Sequence, residues 1–110
     1  MFLYTLTDGI KDAFGVGYGA QVPFILEGKF LTFVPEFKRL KIYSATIVDM
    51  DVYIWKKGEW QKIGEIKDNK DDVIEFKFDE KIKTVKMKIL VKKVKPNTRP
   101  EIYEIEMYEN

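Results

Sequence analysis

Residues 74–78 (IEFKF) and 85–91 (VKMKILV) decide the fold. In the first stretch Ile74, Phe76 and Phe78 alternate with Glu75 and Lys77. In the second, Val85, Met87, Ile89 and Val91 alternate with Lys86 and Lys88. A side-chain period of two belongs to a strand with one face in a core and the other in water. Leu90 interrupts the polar set and is expected under a loop. The pattern recurs on both sides. Leu40 and Ile42 alternate with Lys41 and Tyr43, and Met50, Val52 and Ile54 alternate with Asp51, Tyr53 and Trp55. Near the end, Tyr103, Ile105 and Met107 alternate with Glu104, Glu106 and Tyr108. Between these runs lie turn signals: Glu27-Gly28-Lys29 as a turn or bulge, Lys56-Lys57-Gly58-Glu59 as a hairpin turn, residues 68–72 (DNKDD) as a polar loop and 96–100 (PNTRP) as an exposed connection. Residues 8–22 read as a long Gly-rich loop. No helical period appears. Seven or eight short strands at regular spacing predict an all-β, antiparallel β-sandwich of jelly-roll type.

Composition bounds the rest. The chain has 110 residues, 45% of them hydrophobic and 15% aromatic, which suits a single domain over 1–110 with its own core. Charged residues reach 34% with a net charge of only +1, so neither nucleic acid nor an anionic membrane is drawn by bulk charge. The Lys-, Glu- and Ile-rich balance fits a thermophile-type surface of interspersed ion pairs. There is no Cys and no His. That removes disulfides, thiolate and His-based nucleophilic catalysis, and zinc sites of Cys or His type. No apolar run of membrane-spanning length occurs. The start, Met1-Phe2-Leu3-Tyr4, lacks the features of a secretory signal. A cytoplasmic or virion-associated setting is therefore expected, unless a signal was removed.

Four pieces, in order, resemble the discoidin domain (the coagulation factor 5/8 C-terminal domain), a galactose-binding-like jelly roll. They are Leu6-Thr7-Asp8-Gly9, Leu40-Lys41-Ile42-Tyr43, residues 52–60 (VYIWKKGEW) and residues 102–108 (IYEIEMY). The family's usual stretch before the Asp-Gly turn, including a first strand, is nearly missing. The resemblance implies a non-catalytic module that binds carbohydrate through loops at one end of the sandwich. It also implies a structural calcium between the Asp-Gly loop and the last strand. Asp8 and Glu104 match those positions and Asp12 lies nearby. The plainer alternative is a turn-forming Asp8 and a solvated Glu104.

Trp60 matches the family's hairpin tryptophan, which packs in the core. Trp55 differs, because its parity places it with Tyr53, away from Val52 and Ile54. The two form a candidate aromatic platform for a sugar's C–H face or for a protein partner. The alternative is that a second layer, a loop or a neighbouring subunit covers them. Tyr18, in the Gly-rich segment 15–19, and Tyr43 and Arg99 complete the candidate contacts. That segment is no dinucleotide loop, since Gln21-Val22-Pro23-Phe24 does not begin a helix. Lys83, Lys86, Lys88, Lys92 and Lys93 read as a solvated face. Glu75, Asp79, Glu104 and Glu106 are their expected cross-strand partners. The close carboxylate pairs, Asp49/Asp51, Asp71/Asp72 and Glu104/Glu106, sit at turns or on solvent faces without a pocket, so no hydrolytic role follows. A ligand-binding module is the leading expectation. A structural or assembly protein, such as a virion or tail accessory subunit or a homo-oligomer, is its rival.

Overall fold

The structure, a computed structural model, describes residues 2–6, 17–18, 21–30 and 34–110, the first two segments as backbone. The strands are β1 (Phe2–Leu6), β2 (Gly17–Tyr18), β3 (Phe24–Lys29), β4 (Glu36–Tyr43), β5 (Ile47–Lys56), β6 (Glu59–Ile66), β7 (Val73–Lys83), β8 (Lys86–Val94), β9 (Glu101–Ile102) and β10 (Glu104–Tyr108). A first four-stranded sheet has the order β1-β10-β4-β7, a second the order β3-β8-β5-β6, and β2 pairs with β9. All pairings between these strands are antiparallel. The expected sandwich is therefore present, and among the described residues no helix is long and apolar enough to cross a membrane.

The alternating residues do what their period requires. Leu40, Ile42, Ile74, Ile105 and Met107 of the first sheet face Met50, Val52, Ile54, Met87, Ile89 and Val91 of the second in one buried cluster. Each such side chain contributes about 1.5–3 kcal/mol by leaving water. Phe37 lies edge-on to Phe78 at 6.0 Å between ring centroids. The sheets approach closely at Gly64, where a Cβ would come within 2.8 Å of the Phe76 ring. A side chain there would force the ring to move.

Several sequence expectations are corrected. Residues 2–6 are a strand along β10, although the segment is short and its burial pattern is not evident from sequence. Residues 27–29 are no turn: they continue β3 along β8, with Gly28 opposite Met87. Val85 precedes β8 and is exposed, because the strand begins only at Lys86. Tyr103 is also exposed. The backbone steps out of register between β9 and β10, where Tyr103 N donates to Tyr43 O, so Ile102 and Ile105 are buried while Tyr103 turns outward. The loop expected over 8–22 falls largely outside the described residues, and its Gly17–Tyr18 part pairs with Glu101–Ile102.

Candidate functional site

The β5–β6 hairpin builds the site. Lys57 and Gly58 both have positive φ, 55° and 77°, as a two-residue turn of this twist demands. The turn sets Lys56 opposite Glu59 and Trp55 opposite Trp60. Cross-strand partners share a face, so both tryptophans stand on the outer face of the second sheet, their rings edge-to-face at 5.3 Å. This overturns the core position expected for Trp60: the turn length, not the size of the ring, fixes its side.

Strand β8 flanks β5 and brings two lysines to the same face. Lys86 Nζ lies 3.8 Å from the Trp55 ring centroid and 5.3 Å from that of Trp60. Lys88 Nζ lies 4.8 Å from Tyr53 and 4.6 Å from Trp60. Trp55 also borders an open recess of about 370 Å³ with Lys29, Phe30, Val85 and Lys86. The expected partners of these lysines, Glu75, Glu104 and Glu106, belong to the other sheet, and Glu75 instead pairs with Arg39 at 3.1 Å.

Further along this face Asp51, almost wholly buried, anchors a charge network. Tyr53 Oη donates to its Oδ2 at 3.2 Å, and Lys92 Nζ sits 3.0 Å from Oδ1, off the hydrogen-bond direction. Lys92 also donates to Glu65 at 3.2 Å. Contacts with Asp51 and Glu65 hold the Lys92 ammonium above its ordinary pKa. The hydrogen bond from Lys92, then the charge of Lys62, holds Glu65 below the usual carboxylate range. Burial, then Asp51, raises Tyr53.

Tyr43 is on the opposite side of the molecule, facing out from the first sheet. It donates to Glu106 Oε1 at 2.6 Å, and Tyr108 donates to the same oxygen at 2.8 Å. The hydrogen bond to Glu106 raises the Tyr43 phenol well above its ordinary range. Burial works against ionisation of Glu106, but the bonds from Tyr43 and Tyr108 keep it below the usual carboxylate range. Arg99 is in the 95–100 loop, with Nε 3.8 Å from Glu101. The backbone of Tyr18 pairs beside Glu101, at the same end of the sandwich as Arg99. The structure thus brings Tyr53 and Trp55 together and leaves Tyr43 and Arg99 apart from them.

At that loop end, Asn69 Nδ2 donates to Ile47 O and Asp71 O, Ser44 Oγ accepts from Thr46 N and Ile47 N, and Lys95 N donates to Thr46 O. These bonds tie three loops beside an open groove of about 510 Å³ bordered by Val48, Asn69, Lys70, Lys93 and Pro96. Of the calcium set, Asp8 and Asp12 lie outside the described residues. Glu104, on β10 beside Glu106, has its carboxyl raised by burial and by that neighbour. Calcium takes about six to eight oxygens, and the described residues hold no group of three His, Cys, Asp or Glu that would bind a metal.

No protein-family model and no curated protein sequence matches the chain. Solved structures do match. The family 32 carbohydrate-binding module of Streptococcus pneumoniae EndoD superposes with a TM-score of 0.76 at 22% identity, over 86% of this chain and 75% of that one. The chain has the discoidin-like jelly-roll fold. The family 32 module of Clostridium perfringens NanJ, solved in complex with galactose, gives 0.60 at 14% identity, over 82% of this chain and 80% of that one. SpGH29 gives 0.73 at 18% identity over 96% of this chain, which spans only 23% of the SpGH29 chain. The fold expected from the four sequence pieces is thereby borne out.

Sequence reasoning missed Trp60, Lys86 and Lys88 as members of the site. Counting parity across the two-residue turn at 57–58 would have found Trp60. The lysines were recognised as outward-facing, but the neighbour that β8 takes in the sheet is a long-range choice that no local pattern announces.

Proposed function

We propose that this chain is a non-catalytic carbohydrate-binding module whose contact surface is the outer face of the second sheet, with Trp55, Trp60 and Tyr53 at its centre. The observation that carries this reading is the Trp55–Trp60 pair, held edge-to-face outside the core by the hairpin turn. A rigid aromatic pair offers large area at little entropic cost, and a pyranose presents a matching C–H face. The fold supports the reading, since solved modules of this architecture are carbohydrate-binding modules, one of them holding galactose.

Binding through stacking and a few hydrogen bonds would be weak at one site and would gain from several copies in tandem. The test is polysaccharide-titrated tryptophan fluorescence with the intact chain. The expected result is a saturable change that Trp55→Ala removes, with the fold retained by circular dichroism. A panel of neutral and acidic polysaccharides that leaves the emission of both tryptophans unchanged would sink the proposal.

A further inference from the structure

Strand register divides the outer face of the second sheet into rows. In one, Lys29 pairs with Lys86, whose ammonium lies over the Trp55 ring, and Trp55 pairs with Trp60; the next runs Glu27, Lys88, Tyr53, Lys62. A third runs Ile25, Leu90, Asp51, Glu65. The carboxylates of the third row are engaged by Lys62, Lys67 and Lys92 at 3.0–3.9 Å. In the first two rows the balance is different. Lys86 and Lys88 rest against the three aromatic rings, and among the described residues neither they nor Lys29 forms an ion pair with a carboxylate. Glu27 and Glu59 border the patch, also without an ion pair among the described residues.

An ammonium on a ring has one side turned to the aromatic and the rest of its donors turned away. Such a group is fixed in place, partly desolvated and short of an anion. A carboxylate reaching it gains a charge-assisted hydrogen bond without first displacing a protein carboxylate. The recess between Lys29, Phe30, Trp55 and Lys86 gives room beside the pair.

We infer that this patch takes an anionic polysaccharide, its carboxylate or sulfate groups on Lys86, Lys88 and Lys29 and its sugar rings against Trp55 and Trp60. The inference rests on the carbohydrate-binding reading and names its ligand class. A neutral sugar would leave the ammonium groups unpaired, and a purely ionic partner would leave the tryptophans without a role.

Native affinity electrophoresis of the intact chain tests this in gels containing polygalacturonate, a sulfated galactan or a neutral galactan. The expected result is retardation by an acidic polymer that fades as salt is raised. Affinity for that polymer should fall about tenfold, equivalent to 1.4 kcal/mol, in a Lys86→Gln/Lys88→Gln variant and return in Lys86→Arg/Lys88→Arg. Thermal unfolding of each variant checks that the fold is kept. The polyuronate and sulfated arms tell carboxylate from sulfate as the group recognised. Equal retardation by neutral galactan, or no effect of removing the two lysines, overturns the inference and leaves carbohydrate binding standing. Retention on acidic polymer that survives Trp55→Ala also overturns it, reducing the contact to ion exchange. Tighter binding to oligodeoxythymidylate than to any acidic polysaccharide assigns the face to single-stranded nucleic acid instead. Retardation by no polymer at all overturns both readings.

Discussion

On the outer face of the first sheet, Tyr43 and Tyr108 donate to one carboxylate, Glu106, while Arg39 stacks on Tyr108 at 4.2 Å and pairs with Glu75. On the outer face of the second, Trp55 and Trp60 meet ammonium groups and each other. Both faces carry aromatics and cations, and Lys41 lies 5.3 Å from the Tyr108 ring on the first as Lys86 and Lys88 lie over rings on the second; what differs is that carboxylates hold the tyrosines and Arg39 of the first, whereas among the described residues Trp55 and Trp60 meet only lysines and each other. On the first face Glu106 holds Tyr43 and Tyr108, and Glu75 holds Arg39, so these side chains are fixed by carboxylates of their own sheet. On the second, the row of lysines over tryptophans ends in solvent. The lesson is that an outward aromatic marks a binding surface by the company it keeps, and only the neighbouring strands decide that company.

The largest effect expected from breaking this contrast is on stability, at the point where the second face is most self-contained. Asp51→Ala removes the buried carboxylate that Lys92, Lys62 and Tyr53 surround. It should cost about 2 kcal/mol by taking the acceptor from Tyr53 and leaving Lys92 and Lys62 with Glu65 as their one counter-charge among the described residues. A urea midpoint equal to that of the wild type would show that the network is ornamental.

Next comes the contrast itself. Tyr43→Phe deletes one donor to Glu106 and should cost about 1 kcal/mol while leaving polysaccharide affinity unchanged. Trp55→Ala should do the reverse on affinity. If Tyr43→Phe weakens binding as much as Trp55→Ala does, the two faces are not functionally distinct.

The hairpin that creates the tryptophan pair is tested by Gly58→Ala. At φ 77° an added Cβ meets no atom within 4 Å, so the expected cost, about 1 kcal/mol, is one of backbone conformation alone. Denaturant melts would give the value, and an unchanged melt would mean that the turn has relaxed to another type.

The smallest effect is electrostatic. Glu65 is held below and Lys92 above their ordinary values. Glu65's contribution is therefore complete above the usual carboxylate range and is lost as pH falls through its lowered pKa. Lys92's contribution is complete below the usual ammonium value and is lost as pH rises through its raised one. The stability difference between wild type and Glu65→Gln should be flat through neutral pH, shrink at both ends and weaken with salt. A difference that persists undiminished into strong acid would contradict the pairing.

Much of this was legible in the chain. The alternations at 40–43, 50–55 and 74–78 fixed which side chains enter the core, because a strand's two faces follow from its covalent geometry. The turn at 56–59 was legible because the residue pair Lys57-Gly58 suits a tight hairpin. The parity of Tyr53 and Trp55 was legible for the same reason as the core. Boundaries were harder: Val85 and Tyr103 fit the alternation but sit where the backbone leaves the ladder.

By itself, then, the sequence determined the two-sheet core, the hairpin and the absence of thiol and imidazole chemistry, all properties of local geometry or of composition. Only the tertiary structure decided that β8 lies beside β5, which sets Lys86 and Lys88 on Trp55, Trp60 and Tyr53, and that Glu75, Glu104 and Glu106 lie on the opposite sheet. That decision is non-local. Strands 30 or more residues apart choose neighbours by the total burial of the assembled sandwich, and a cross-strand pair exists only after that choice is made.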